Sequence, residues 1–107
     1  MKSLDASADH SRIQLALGES FRLRLDENPT TGHAWRMDGD GAPALALDGD
    51  AFEVPALVPA LARAGAPGHH VWSFRAARVG AVTIELSYRR RGGAPARTFT
   101  LAIEIAG

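Results

Sequence analysis

The alternation of apolar and polar residues is the feature that most narrows what this chain can become. In the last third of the sequence, His70, Trp72, Phe74 and Ala76 share one parity, followed by Val82, Ile84, Leu86 and Tyr88, then Phe99, Leu101, Ile103 and Ile105. Thr, Ser, Glu or Arg fill most of the places between them. Earlier, Ile13, Leu15 and Leu17 alternate, and Phe21, Leu23 and Leu25 are separated by Arg22 and Arg24. A period of two is the signature of a strand with one dry and one wet face, because successive side chains of an extended chain point to opposite sides. Antiparallel strands of this kind bury one face and leave the other to water.

Turn-forming clusters punctuate these runs: "LGES", "ENPTTG", "DGDGAP", "LDGD", "RAGAPG", "RVG" and "RRRGGAPA". The spacing predicts seven strands, at about 12–17, 20–26, 33–37, 51–58, 69–77, 81–90 and 97–105, with an eighth edge strand around "ALAL" in the irregular connection after the third. A short helical turn fits only "VPALVPALARAG", where Pro55 and Pro59 forbid a long helix. The fold class expected is all-β, an immunoglobulin-like antiparallel β-sandwich of seven or eight strands, with Trp35 as its central core aromatic. At 107 residues the chain is a single domain, in which residues 1–10 are expected to form a flexible N-terminal segment.

Composition removes several classes of function. Twelve basic residues balance twelve acidic ones, so no global field draws the chain to nucleic acid or to an anionic membrane. No run of apolar residues reaches the length of a membrane span or of a signal peptide. The compartment stays open, since a periplasmic or secreted protein whose leader is absent from this sequence would look the same. The lack of cysteine rules out disulfides, thiolate metal sites and a cysteine nucleophile.

Catalytic and metal readings find no footing. His69 and His70 are adjacent and so face opposite ways on a strand, and neither His10 nor His33 has a partner at ligand spacing. Ser20 lacks the surroundings of a nucleophile elbow. The Gly39–Ala44 stretch fits a loose dinucleotide pattern but has no following helix, and the pairs Asp38–Asp40 and Asp48–Asp50 lack the spacing of a calcium loop. No cofactor is expected. Arg75, Arg78 and Arg89–Arg91 have no aromatic platform among them for stacking bases.

An up-and-down sandwich carries three of its loops, "ENPTTG", the segment ending "RAGAPG" and "RRGGAPA", at the same end, where a rigid scaffold can present them for recognition. Pro29 sets its own φ and extends Asn28, and Gly32 reaches backbone angles closed to other residues, so the first loop is stiff before it meets a partner.

These three loops resemble the motifs of the chagasin family of cysteine-peptidase inhibitors. Asn28, Pro29, Thr30, Thr31 and Gly32 match its Asn-Pro-Thr-Thr-Gly motif throughout, and Trp35 falls on the family's strand tryptophan. Gly65, Ala66, Pro67 and Gly68 stand where the family has Gly-x-Gly-Gly. The third motif, Arg-Pro-Trp after a strand tyrosine, is kept at Tyr88 and Arg90 but replaced by Arg91 and Gly92. The resemblance implies a monomeric, reversible, non-catalytic inhibitor that wedges these loops into the cleft of a papain-like cysteine peptidase, with Thr30 and Thr31 over the catalytic cysteine. It implies weaker binding without the Pro-Trp pair, or a preference for acidic residues opposite Arg89, Arg90 and Arg91. The other function class consistent with the sequence is an immunoglobulin-like adhesion or interaction module with no inhibitory activity.

Overall fold

In the computed structural model, which describes residues 1–28, 31–53 and 68–107, eight strands form two four-stranded sheets. They are β1 (Lys2–Leu4), β2 (Ser11–Ala16), β3 (Ser20–Glu27), β4 (His33–Gly39), β5 (Leu45–Glu53), β6 (Gly68–Ala76), β7 (Gly80–Arg90) and β8 (Arg97–Ala106). One sheet has the order β1-β3-β6-β5 and the other β2-β8-β7-β4. The apolar parity of β3, β6, β7 and β8 lies between the sheets, as period-two patterning requires, and Phe21, Leu23, Leu25, Phe74, Ile84, Leu86, Phe99, Leu101, Ile103 and Ile105 are buried there.

Five expectations need correction. The pairing is not wholly antiparallel, because β1 runs parallel to β3 and β2 parallel to β8. Parallel neighbours cannot be joined by a tight turn, and here the chain enters along the margin of one sheet and crosses to the margin of the other before the antiparallel core strands begin. Residues 1–10, expected to be a flexible segment, carry β1 and a 3₁₀ turn over Ala6–Ala8. Asp5 caps that turn, and the Ser7 hydroxyl and then the Ser7 amide hold its carboxyl below the usual carboxylate range. Asp9 then accepts from the Thr100 amide at 2.8 Å, and the His10 amide donates to the Thr100 carbonyl at 2.8 Å.

The "ALAL" stretch is not a separate edge strand. It opens β5, which starts six residues earlier than the predicted 51–58 strand. A register shift between Leu47 and Gly49 explains the misreading, since a bulge inserts a residue and breaks the alternation on which the reading relied. Residues 54–58 and the "VPALVPALARAG" turn lie outside the described residues from Val54 onward.

Trp35, finally, is not the centre of the core. It sits on β4, an edge strand, two residues from the loop, and is 7% exposed. The centre holds Trp72, 1% exposed, together with Phe21 stacked on Phe74 at 5.0 Å between ring centroids. Leu17 also departs from its parity. It follows the end of β2 in the turn to β3 and is 50% exposed.

Trp72→Ala is expected to cost about 3–5 kcal/mol of stability in denaturant unfolding, the range for emptying a buried aromatic site. Leu17→Ala is expected to change it by less than about 0.5 kcal/mol, as for an exposed position. A Leu17 effect as large as that of Trp72 would contradict this division between core and turn.

Candidate functional site: three loops at one end of the sandwich

The strand registers bring the three loops together. Glu27 at the end of β3 pairs with Gly68 at the start of β6, Glu53 at the end of β5 pairs with His69, and His33 at the start of β4 pairs with Arg90 at the end of β7. The connections 28–32, 54–67 and 91–96 therefore leave and re-enter the sandwich at the same end.

The first loop has to carry the chain from one sheet to the other, and Trp35 fixes that crossing. Its indole N–H donates to the Asp26 carbonyl at 2.8 Å, and its backbone N–H donates to the Glu27 carboxylate at 2.7 Å. Glu27 occupies the core-facing parity of β3 after Phe21, Leu23 and Leu25, and it is buried to 8% exposure. It also lies 3.4 Å from His70 Nδ1, while His70 Nε2 contacts Asp50 and its ring stacks on Trp72 at 4.2 Å. On the other face of β6, His69 Nδ1 meets Asp26 at 3.0 Å. The two adjacent histidines thus tie β3, β5 and β6 together beneath the loops.

Above this base the first loop is short and internally bonded. The Thr31 amide and hydroxyl both donate to the Asn28 carbonyl, at 3.3 and 2.9 Å, and His33 Nδ1 lies 3.0 Å from the Thr31 hydroxyl. Gly32 has φ +76° and, like Thr31, is exposed. Pro29 and Thr30 lie outside the described residues, as do Gly65, Ala66 and Pro67 of the second loop.

Gly68 is described, and it is buried in the ladder. A Cβ there would stand 2.3 Å from the Glu53 carbonyl oxygen and 2.8 Å from the Phe52 ring, so only glycine lets β5 and β6 close at the base of the second loop. Its place is at the stem, not at the tip.

The third loop turns over Arg90–Gly93, with the Gly93 amide donating to the Arg90 carbonyl at 2.9 Å. Gly92 has φ +73°, a conformation that side-chain-bearing residues rarely adopt. The aromatic groups nearby belong to the stem: Tyr88 stacks on His33 at 5.3 Å and meets Trp35 in a tilted arrangement at 5.1 Å, and the Arg97 guanidinium lies 5.5 Å from the Trp35 ring centre and 5.7 Å from that of Tyr88. A cleft of about 350 Å³ opens beside them, lined by Asn28, Gly68, His69, Tyr88 and Arg97 among others.

Of the expected site residues, the structure thus brings Asn28, Thr31, Gly32, Arg90, Arg91 and Gly92 to one end, with Gly68 below them. Glu27 and Arg97 escaped sequence reasoning. Glu27 left a signal, a charged residue continuing an apolar parity, whereas nothing local marks Arg97 as a partner of two rings. Among the described residues there is no cluster of three or more side chains able to hold a metal ion, and no helix is long and apolar enough to cross a membrane.

A two-sheet sandwich whose strand registers bring three connections to one end has the form of a scaffold that presents loops. The family model of the chagasin family peptidase inhibitors (I42) matches residues 14–104, and the chain belongs to that family. It is similar to Amoebiasin-2 of Entamoeba histolytica, 25% identical over 105 residues, covering 95% of this chain and 83% of that protein. The crystal structure of EhICP2, a cysteine protease inhibitor from Entamoeba histolytica, superposes with a TM-score of 0.80 at 23% identity, covering 98% of this chain and 94% of the other. The solution structure of Amebosin gives 0.78 at 28% identity, with coverage of 98% and 97%.

Glu27→Ala leaves the Trp35 amide buried without an acceptor and is expected to destabilise the protein by about 1–3 kcal/mol. Glu27→Gln keeps an acceptor and should recover most of that loss in thermal or denaturant unfolding. Equal loss in the two variants would show that the carboxylate's charge, and not its hydrogen bond, matters.

Proposed function

We propose that this protein is a reversible inhibitor of papain-like cysteine peptidases that inserts its three clustered loops into the active-site cleft. The observation that carries this reading is the match to the Asn-Pro-Thr-Thr-Gly motif at residues 28–32, at the loop end of a chagasin-family sandwich. In the proposed complex Thr30 and Thr31 lie over the catalytic cysteine, with Asn28, Pro29 and Gly32 setting the loop's shape. The segment Gly65, Ala66, Pro67 and Gly68 flanks one side, and the third loop flanks the other, Arg91 and Gly92 at its tip and Arg90 at its stem.

Inhibition of this kind needs no covalent chemistry. A loop already held by its own hydrogen bonds gives up little conformational freedom on entering a cleft, so more of the contact energy appears as affinity. The loop lies across the nucleophile and excludes substrate without offering a bond in cleavable geometry. The second and third loops orient the wedge and enlarge the buried area. Arg91 and Gly92 give the third loop a cationic tip without an aromatic group, suited to an acidic cleft wall instead of an aromatic contact.

The test is a titration of papain with the purified protein and with Thr31→Arg. The wild type should inhibit. The variant, which places a long cationic side chain at the centre of the wedge, should bind at least about 30-fold more weakly, the loss of a central hot spot worth about 2 kcal/mol. An unchanged melting temperature would show that the variant still folds. Equal inhibition by the two proteins would remove the first loop from the interface. Absence of inhibition by both would favour an interaction module.

A further inference from the structure

Three consecutive arginines stand where β7 runs into the third loop, and the structure gives them different work. Arg89 turns back along its own strand, where Nε and Nη2 donate to the Ser87 hydroxyl at 2.9 and 2.8 Å, and Nη2 lies 3.6 Å from Asp38. Arg91 is exposed at the turn and makes no ion pair among the described residues. Arg90 reaches across to the first loop, where its Nε donates to the Thr31 carbonyl at 3.2 Å.

Two residues back on the same face of β7, the Tyr88 hydroxyl accepts from the Asn28 amide at 2.9 Å. Asn28 and Thr31 are the two ends of the loop's central turn, and they are already joined by the Thr31 bonds to the Asn28 carbonyl. The stem of the third loop therefore grips the first loop at both ends. The His33–Arg90 register and the His33 ring stacked on Tyr88 hold that stem against β4.

We infer that Arg90 is a positioning residue for the first loop, holding the Thr31 backbone in binding geometry from the third loop's stem, and that its contribution to inhibition is made inside the inhibitor. This rests on the inhibitory reading above, which sets what the held loop is for. The physical effect is preorganisation. If the loop is correctly placed only part of the time, the apparent affinity falls by that fraction, and the fall appears in the association rate, since the complex once formed makes the same contacts. A latch also differs from charge attraction in its response to salt, because steering between exposed charges is screened and a local hydrogen bond is not.

The experiment measures association rates with papain for the wild type, Arg90→Ala, Arg90→Lys and Arg78→Ala, at low salt and at about 0.5 M salt, where the screening length is only a few ångströms. Arg78 lies in the turn before β7, at the opposite end of the sandwich, and its removal makes the same change in net charge. In parallel, hydrogen exchange at the Thr31 amide is followed in the free proteins. Arg90→Ala should associate about tenfold more slowly at both salt concentrations, with faster Thr31 exchange and a melting temperature close to that of the wild type. Arg90→Lys, which retains a donor, should recover part of the rate, and Arg78→Ala should behave as wild type.

A rate loss that disappears in high salt, or one matched by Arg78→Ala, would replace the latch by charge steering. If the wild type does not inhibit papain, the inhibitory reading fails by itself, while the exchange data still decide the latch. Thr31 exchange unaltered in Arg90→Ala would overturn it.

Discussion

The loop end of this protein depends on how one tryptophan is held. Trp35 stands at the margin of one sheet and spends both of its N–H groups on the last two residues of β3 in the other. Because an edge strand leaves half of its amides facing outward, an unpaired donor there would be costly once buried. The Glu27 carboxylate removes that cost. It also sets where the chain must leave one sheet and join the next, which leaves only the short connection of residues 28–32 to make the crossing. The conformation of the first loop follows from where Trp35 is anchored.

Around that anchor, polar groups do the work that apolar packing does in the middle of the sandwich. Phe21, Trp72 and Phe74 exclude water from the centre, where regular alternation suffices. Toward the loops the parity is interrupted by Glu27 and His70, which would be unfavourable singly but satisfy one another and the Trp35 amide. The Tyr88 ring then joins His33, Trp35 and Arg97 into one contact cluster directly below the first and third loops. Loops that end on such a base have little room to drift, and a wedge that must enter a cleft benefits from that restraint.

Sequence reading succeeded where one local rule governs. In β3, β6, β7 and β8 a single period carries through the middle of each strand, and those strands lie within a residue or two of their expected bounds. It failed at β5, where the register shift after Leu47 breaks the period, at β1, which was expected to be a flexible segment, and in the pairing of β2, which lies where expected but runs parallel to the distant β8. Glu27 was visible as a charge on an apolar face, but its acceptor role was not, because Trp35 reaches it only after the chain has changed sheets. The same holds for the arginines at 89–91: three identical residues in a row have three different surroundings.

What the sequence determined by itself is the kind of molecule: an all-β sandwich, from the period of its apolar residues, and a member of a recognisable inhibitor family, from loop motifs in order along the chain, foremost the five consecutive residues at 28–32. Both are short-range properties, written in neighbours along the chain. What only the tertiary structure decided is which residues hold those five in place. Tyr88 and Arg90 lie some sixty positions beyond the loop they grip, at separations of 60 and 59 residues, and no spacing rule links them. Their partnership exists because β4 and β7 pair in one register, and register is settled by the packing of whole sheets, not by any local stretch of sequence.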